Sequence, residues 1–203
     1  MIIVALLLST QVATQDPRLE RLDPDTRSAV VALMDSARGD GLPVEPLIQR
    51  ALEGATKSAP GARIVAAVRR LTLDLGTART ALGTNATSPE LEAGVAALRS
   101  GATPQVLTRL RTVRRPPLTM ALSVLADLVA SGVPADSAAA AVLTLAPKAR
   151  DADLVEFRRA VERDIALGAP PGAATSVRLN AGATDVFTQS AGPGTPPLQP
   201  RRP

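Results

Sequence analysis

The sequence predicts an all-α fold, and three observations support this prediction. At four places a helical pattern ends at a glycine and restarts at a proline soon after, in residues 41–43, 101–104, 132–134 and 168–170. Glycine closes a helix in a left-handed turn, and proline suits the first turn of the next helix. Apolar residues between these joints recur at helical spacing, and no segment shows the alternation of a strand.

Most of the predicted helices also begin at a capping signal. Asp23 before Pro24 is expected to cap the first helix, Ser58 a long third helix, and Asp151 or Asp153 a charged eighth helix. Gly54 is expected to end the second helix. We predict about eight to nine helices, which span approximately residues 24–38, 43–53, 60–82, 88–100, 104–113, 118–131, 134–146, 151–167 and 170–179.

Three helices show which of their faces are buried. The long helix has an apolar seam at Ile64, Val68, Leu71, Leu75, Ala78 and Leu82. The helix over 118–131 has an apolar stripe at Leu118, Ala121, Leu122, Leu125, Leu128 and Val129. In the charged helix Leu154, Phe157, Val161 and Ile165 are expected to face inward, with Arg158 and Glu162 on the outside. Spacings of three and four residues place each apolar set on one side of its helix.

The joints also suggest how the helices are arranged. The glycines at 101, 132 and 168 lie 31 and 36 residues apart, which is in the range of helix-hairpin repeats. The joints share only Gly and Pro, so stacked antiparallel hairpins in an irregular α-solenoid and an orthogonal helical bundle both remain open. We predict a single helical domain over residues 16–180 and a disordered tail rich in Pro and Gly over 181–203.

Residues 1–15 resemble a secretory signal peptide. An unbroken apolar run over 2–8 is too short to span a bilayer and is followed by polar residues. No Lys or Arg precedes the run, and a buried first strand or half-helix is the alternative. We therefore expect an extracytoplasmic protein, periplasmic or secreted, if the leader is a signal peptide, and a cytoplasmic protein otherwise.

The composition excludes most familiar catalytic sites. The chain contains no Cys, His, Tyr or Trp, so thiolate, imidazole and zinc–thiolate chemistry is absent. The acid pairs Asp23/Asp25 and Asp151/Asp153 lie at helix starts, where acids are expected as caps. Lys57 beside Ser58 does not make a nucleophile, because adjacent side chains rarely point at each other. We predict no cofactor, no metal site and no catalytic residue.

The densest basic cluster lies at the end of the helix over 104–113. It contains Arg109, Arg111, Arg114 and Arg115, and the net charge of the chain is +4. Cations at a helix C-terminus interact favourably with the helix dipole, which explains part of the cluster. Four arginines exceed what capping needs, so an anion or partner site is the functional interpretation. Sequence-specific nucleic-acid binding is disfavoured, because no stacking aromatic or known motif accompanies the cluster.

These observations support three functional hypotheses. The first is a non-catalytic, exported helical module that binds a protein or peptide partner, since stacked hairpins expose extended surfaces. The second is a binder of an anionic polymer or anionic membrane surface through Arg109–Arg115. The third is an enzyme that uses carboxylates or serine.

Overall fold

The computed structural model describes residues 16–190, with side chains as far as Ala181. Within this part of the chain it contains nine α-helices, one 3₁₀ helix over Pro17–Arg21 and no strand, which confirms the all-α prediction. The helices are α1 Pro24–Gly39, α2 Glu45–Thr56, α3 Gly61–Leu82, α4 Ser88–Arg99, α5 Pro104–Val113, α6 Thr119–Ala130, α7 Ala135–Leu145, α8 Asp151–Ala166 and α9 Pro171–Ser190.

The last helix is longer than the sequence indicates. The predicted end near Leu179 is wrong, because α9 continues to Ser190. The Gly, Thr and Gln content of residues 181–190 predicts that they belong to the tail. A helix that has already formed, however, adds residues at little further cost in free energy. The predicted leader over 1–15 and the rest of the predicted tail, residues 191–203, lie outside the described residues.

The chain divides into two compact units, Met1–Gly76 and Thr77–Pro203, with the boundary inside α3. The single domain over residues 16–180 stays a prediction. Unit 1 contains the 3₁₀ helix, α1, α2 and the first part of α3. Unit 2 contains the end of α3 and α4–α9.

In unit 1 a buried apolar core is accompanied by close helix packing at a glycine and by an ion-pair network at the surface. A Cβ on Gly61 would lie 2.0 Å from the Thr26 hydroxyl oxygen, so α1 and α3 approach closely there. Asp23 accepts a hydrogen bond from the Thr26 N–H at 3.0 Å, which confirms the predicted cap of α1. At the surface, hydrogen bonds from Arg18 and Gln49 lower the pKa of Glu45 to about 2.

The four glycine joints are helix ends of one kind. Gly41, Gly101, Gly132 and Gly168 all have positive φ, between 68° and 112°. After each glycine, the N–H of the next residue donates to a carbonyl five positions back, as Val133 does to Leu128 at 3.0 Å. This six-to-one bond defines the Schellman motif, so the prediction of left-handed glycine closures is confirmed.

A fifth joint of this kind has a serine in place of the glycine, and the predicted role of Ser58 as the cap of α3 is wrong. Ser58 has a φ of 51°, and the Ala59 N–H donates to the Gly54 carbonyl at 2.9 Å. Ser58 therefore closes α2 rather than capping α3. Gly54 does not end α2 either: it lies inside the helix, where a Cβ would come within 2.7 Å of Ile64 Cγ1. Its glycine serves close packing between α2 and α3.

The strained position at Ser58 yields a stabilising substitution. We expect Ser58→Gly to raise the free energy of unfolding by about 0.5–1 kcal/mol, because glycine adopts positive φ without the Cβ penalty. The gain is smaller than this penalty, since glycine also makes the unfolded chain more flexible. Urea denaturation followed by circular dichroism measures the change. The reciprocal control is Gly132→Ser, at a φ of 92°, which should lower stability by about 1 kcal/mol or more. Equal or lower stability of Ser58→Gly would contradict this account.

The helices of unit 2 pack in two series. Helices α4, α6 and α8 contact one another in order, and α5, α7 and α9 form a second series. The two series are joined where α6 packs on α7 and α8 packs on α9. The order of contacts follows the order of the chain, which is compatible with the irregular α-solenoid among the two predicted arrangements.

The joints of unit 2 stack on one another in a constant register. A Cβ on Gly101 would lie 3.4 Å from Ala135 Cβ, and a Cβ on Gly132 would lie 3.5 Å from Pro171 Cγ. Each neighbour is the third residue after the glycine of the next joint. The hairpins α4–α5, α6–α7 and α8–α9 therefore follow each other as equivalent units, despite their unequal spacing in sequence.

The predicted core positions are largely confirmed. All six residues of the α3 seam are buried, and so are Leu118, Ala121, Leu122, Leu125 and Leu128 before and within α6. The outward placement of Arg158 is wrong, because its side chain is only 26% exposed. Its guanidinium pairs with Asp127 of α6, which ties α6 to α8 through an ion pair that the spacing within α8 alone does not reveal.

Candidate functional site

The four predicted arginines lie on and just after α5, and the structure separates them. α5 runs over Pro104–Val113, so Arg109 and Arg111 belong to the helix while Arg114 and Arg115 follow it. Arg109 and Arg111 are two positions apart, which turns their side chains about 200° from each other around the helix axis. A cluster that is dense in sequence is therefore divided in space.

Arg114 is part of the structural framework of unit 2. Its Nη1 donates to the carbonyls of Ala146 and Ala149 at 2.9 and 2.6 Å, and its Nη2 pairs with Asp151 at 2.5 Å. The side chain is only 13% exposed. The guanidinium thus satisfies carbonyls after α7 and reaches the first residue of α8. These bonds leave Arg114 little capacity for an external anion.

Arg111 lies over the end of α3. A Cβ on Gly83 would come within 2.5 Å of the Arg111 Nη1 and 2.8 Å of its Cζ, so the guanidinium rests directly on the glycine backbone. A cation at this helix C-terminus interacts favourably with the helix dipole. Gly83, with a φ of 90°, both closes the helix and makes room for Arg111.

Arg109 occupies a different position, between two surface grooves. A groove of about 670 Å³ separates the end of α3 from α5 and is lined by residues that include Thr80, Gln105, Thr108 and Arg109. A second groove, of about 350 Å³, lies between α5 and α7 and is lined by residues that include Arg109 and Asp136. Arg109 is exposed, and within the described part of the chain its guanidinium makes no hydrogen bond or ion pair.

Arg115 is also exposed and lines neither of these grooves. It follows the end of α5 and precedes the cis peptide bond between Pro116 and Pro117. Of the four predicted residues, Arg109 is thus the one that lines a groove and whose guanidinium has no partner among the described residues.

A buried carboxylate that the sequence analysis did not single out lies at the start of α4. Glu90 is 3% exposed, and its Oε2 accepts hydrogen bonds from the Thr87 N–H and hydroxyl at 2.9 and 3.0 Å. Its Oε1 accepts the Leu118 N–H at 2.8 Å. Burial raises the pKa of Glu90, but the hydrogen bonds from Thr87 and Leu118 outweigh it, so the pKa lies below its ordinary value. The pattern Thr87-x-x-Glu90 is a capping-box signature that sequence reasoning could have found.

The bonds of Glu90 describe a structural carboxylate. Both oxygens are occupied by donors at the starts of α4 and α6, which links the two helices. Three of the four acids in the predicted pairs have partners: Asp23 accepts the Thr26 N–H, Asp153 the Arg150 N–H, and Asp151 pairs with Arg114. The predicted cap of α8 by Asp151 or Asp153 is wrong, because Arg150 occupies the cap position and both acids lie within the first turn. Lys57 pairs with Glu53 rather than with Ser58.

The described residues offer neither a metal-binding cluster nor a membrane-spanning helix. Among residues 16–190, no three or more Asp or Glu side chains are arranged so that they could hold a metal ion. None of the helices in the described region combines the length and the apolar character needed to cross a bilayer.

No protein-family model, curated protein or solved structure matches the chain. The candidate site is therefore defined by its own geometry: Arg109 on α5, with a groove on either side.

Proposed function

We propose that the chain is a non-catalytic module that binds a protein or peptide, and that the exposed face of α5, α7 and α9 is its binding surface. The observation that supports this most directly is the pair of grooves that flank α5. Grooves between neighbouring helices are common docking places for extended or helical peptide segments.

The charge distribution on unit 2 supports the same face. Exposed positions of α7 and α9 include the uncharged Ala140, Thr144, Ser176 and Val177 beside one acid, Asp136, and Val177 is 61% exposed. By contrast, the exposed positions of α8 include Asp153, Glu156, Arg159 and Arg163. Charged residues are depleted in the centres of protein interfaces, so the α5–α7–α9 face suits a partner better than the face of α8 does.

Two parts of this proposal rest on the sequence alone. We propose the absence of catalysis because the chain lacks Cys, His, Tyr and Trp. We propose an extracytoplasmic location because the apolar run over residues 2–8 resembles that of a signal peptide. The carboxylate or serine enzyme, the third hypothesis of the sequence analysis, is the least supported.

A charge placed in the groove between α5 and α7 tests the binding surface. A display library of protein fragments from the source organism is selected for binding to the purified full chain. The affinity of the selected fragments is then measured for the parent and for two variants. We expect Ala140→Glu to weaken binding at least tenfold, because a carboxylate would intrude into the interface and lose solvation. The control is Ala96→Glu, an exposed alanine on α4, which should bind within about twofold of the parent.

The outcome of this selection is decisive in either direction. Fragments that bind both variants as tightly as the parent would place the interface elsewhere. A library that yields no fragment binding above background would overturn the binding function itself.

Binding of an anionic polymer or anionic membrane surface is the second candidate. It is favoured by Arg109, Arg111 and Arg115, which are all exposed, and by the absence of any acidic residue between Pro104 and Arg115. It is weakened by the engagement of Arg114, which reduces the cluster to three dispersed cations.

A further inference from the structure

We infer that the groove between the end of α3 and α5 takes an acidic peptide segment, with Arg109 as the residue that pairs with a carboxylate of the ligand. The inference rests on the proposed function and assigns the chemistry of the partner. It follows from the lining of the groove, from the directions of the neighbouring arginines and from the position of Asp136.

The lining of the groove suits a peptide with an acidic side chain. It combines one cation, Arg109, with hydroxyl and amide side chains at Thr80, Gln105 and Thr108, and with apolar surface from Ala81 and Pro104. Thr108 already donates to the carbonyls of Ala81 and Pro104, at 3.3 and 3.1 Å, and this fixes the side of α5 against α3. A guanidinium with no described partner binds a carboxylate through two parallel hydrogen bonds.

The dispersal of the other arginines disfavours a polyanion as the ligand. Polyanions gain affinity by contacting several cations at once and releasing counterions from each contact. Arg111 projects about 200° from Arg109 around α5 and its guanidinium rests on Gly83 directly after α3, whereas Arg114 is bonded to Ala146, Ala149 and Asp151. One accessible cation in a groove of about 670 Å³ fits a single carboxylate among peptide groups.

The second groove explains why the acidic group belongs on the α3 side of Arg109. Asp136 lines the groove between α5 and α7 together with Arg109. A ligand carboxylate placed there would meet a like charge, whereas none of the described residues that line the groove beside α3 is an Asp or Glu. The ligand is therefore oriented, with its acidic residue toward α3 and its uncharged part toward α7.

The test uses two labelled twelve-residue peptides that are otherwise uncharged, one with a single Glu at its centre and one with Gln at that position. Fluorescence anisotropy with the full chain at about 0.15 M salt should show clear preference for the Glu peptide. Arg109→Gln should weaken that binding about tenfold or more, since the pair is charge-assisted. Arg115→Gln removes the same charge outside both grooves and should change binding by less than about twofold. Circular dichroism confirms that both variants remain folded.

Three results would overturn the inference. The first is equal binding of the Glu and Gln peptides. The second is an equal loss in Arg109→Gln and Arg115→Gln, accompanied by equally reduced binding of heparin, which would assign the cluster to general anion binding. The third is selected proteome fragments that bind Arg109→Gln as tightly as the parent. In the third case the fragments still bind, so the proposed function survives while its acidic specificity fails.

Discussion

Replacing Glu90 by alanine is expected to lower the free energy of unfolding by about 3 kcal/mol. The substitution removes the acceptor of the buried Leu118 N–H and both acceptor contacts of Thr87. A buried donor left without a partner costs its full desolvation, and bonds to a charged group are stronger than neutral ones. Equilibrium denaturation followed by circular dichroism measures the loss.

A neighbouring residue on the same helix provides the control. Glu92 is exposed, and Glu92→Ala should change stability by no more than about 0.5 kcal/mol. If both alanine variants lose equal stability, the hydrogen bonds of Glu90 are not the cause. Glu90→Gln keeps the shape but turns one acceptor into a donor that faces Thr87, so an intermediate loss is expected.

The same residue predicts a pH dependence with a definite sign. The pKa of Glu90 is lower in the folded protein than its ordinary value of about 4.3, so its ionised form stabilises the fold above that pH. This contribution disappears as the pH falls through the lowered folded pKa. The stability difference between the parent and Glu90→Gln should therefore be constant near neutral pH and shrink below about pH 4. A difference that stays constant down to pH 2 would contradict this assignment.

Local patterns in the sequence predict most of the helices and most of their buried positions. The α3 seam and the α6 stripe follow from periodicity, and the glycine joints follow from the conformational freedom of one residue type. The predicted role of Ser58 was wrong because serine usually signals a helix start. Here its left-handed conformation closes α2 just before Pro60. Proline two positions later, as at Gly132 and Gly168, was the available signal.

The candidate site could be predicted only in part, because its residues are sorted by contacts that are distant in sequence. Arg109 and Arg114 look alike in the sequence, yet the partners of Arg114 lie more than thirty positions away. Helical geometry alone predicts that Arg109 and Arg111 diverge. It does not predict that Arg114 meets the end of α7, since that contact depends on how the hairpins stack. Glu90 shows the same limit: its capping box is local, whereas its bond to Leu118 crosses from α4 to α6.

Arg114→Ala is expected to destabilise unit 2 by about 2–3 kcal/mol. The change leaves the carbonyls of Ala146 and Ala149 without their donor, and it removes the ion pair that reaches Asp151 at the start of α8. Asp151 is 46% exposed and regains water, so the loss comes mainly from the carbonyls and from the packing of a largely buried side chain. Urea denaturation of the full chain provides the measurement.

Two further variants separate the geometry of Arg114 from its charge. Arg114→Lys keeps the charge but cannot span two carbonyls and a carboxylate with one ammonium, so it should lose about half as much stability as Arg114→Ala. Arg115→Ala, one position further along, removes an exposed side chain and should stay within about 0.5 kcal/mol of the parent. Equal losses of stability in Arg114→Ala and Arg115→Ala would show that the bonds of Arg114 do not stabilise unit 2. The expected contrast would instead show that adjacent arginines have separate tasks, with Arg114 joining α7 to α8 and Arg115 in contact with solvent.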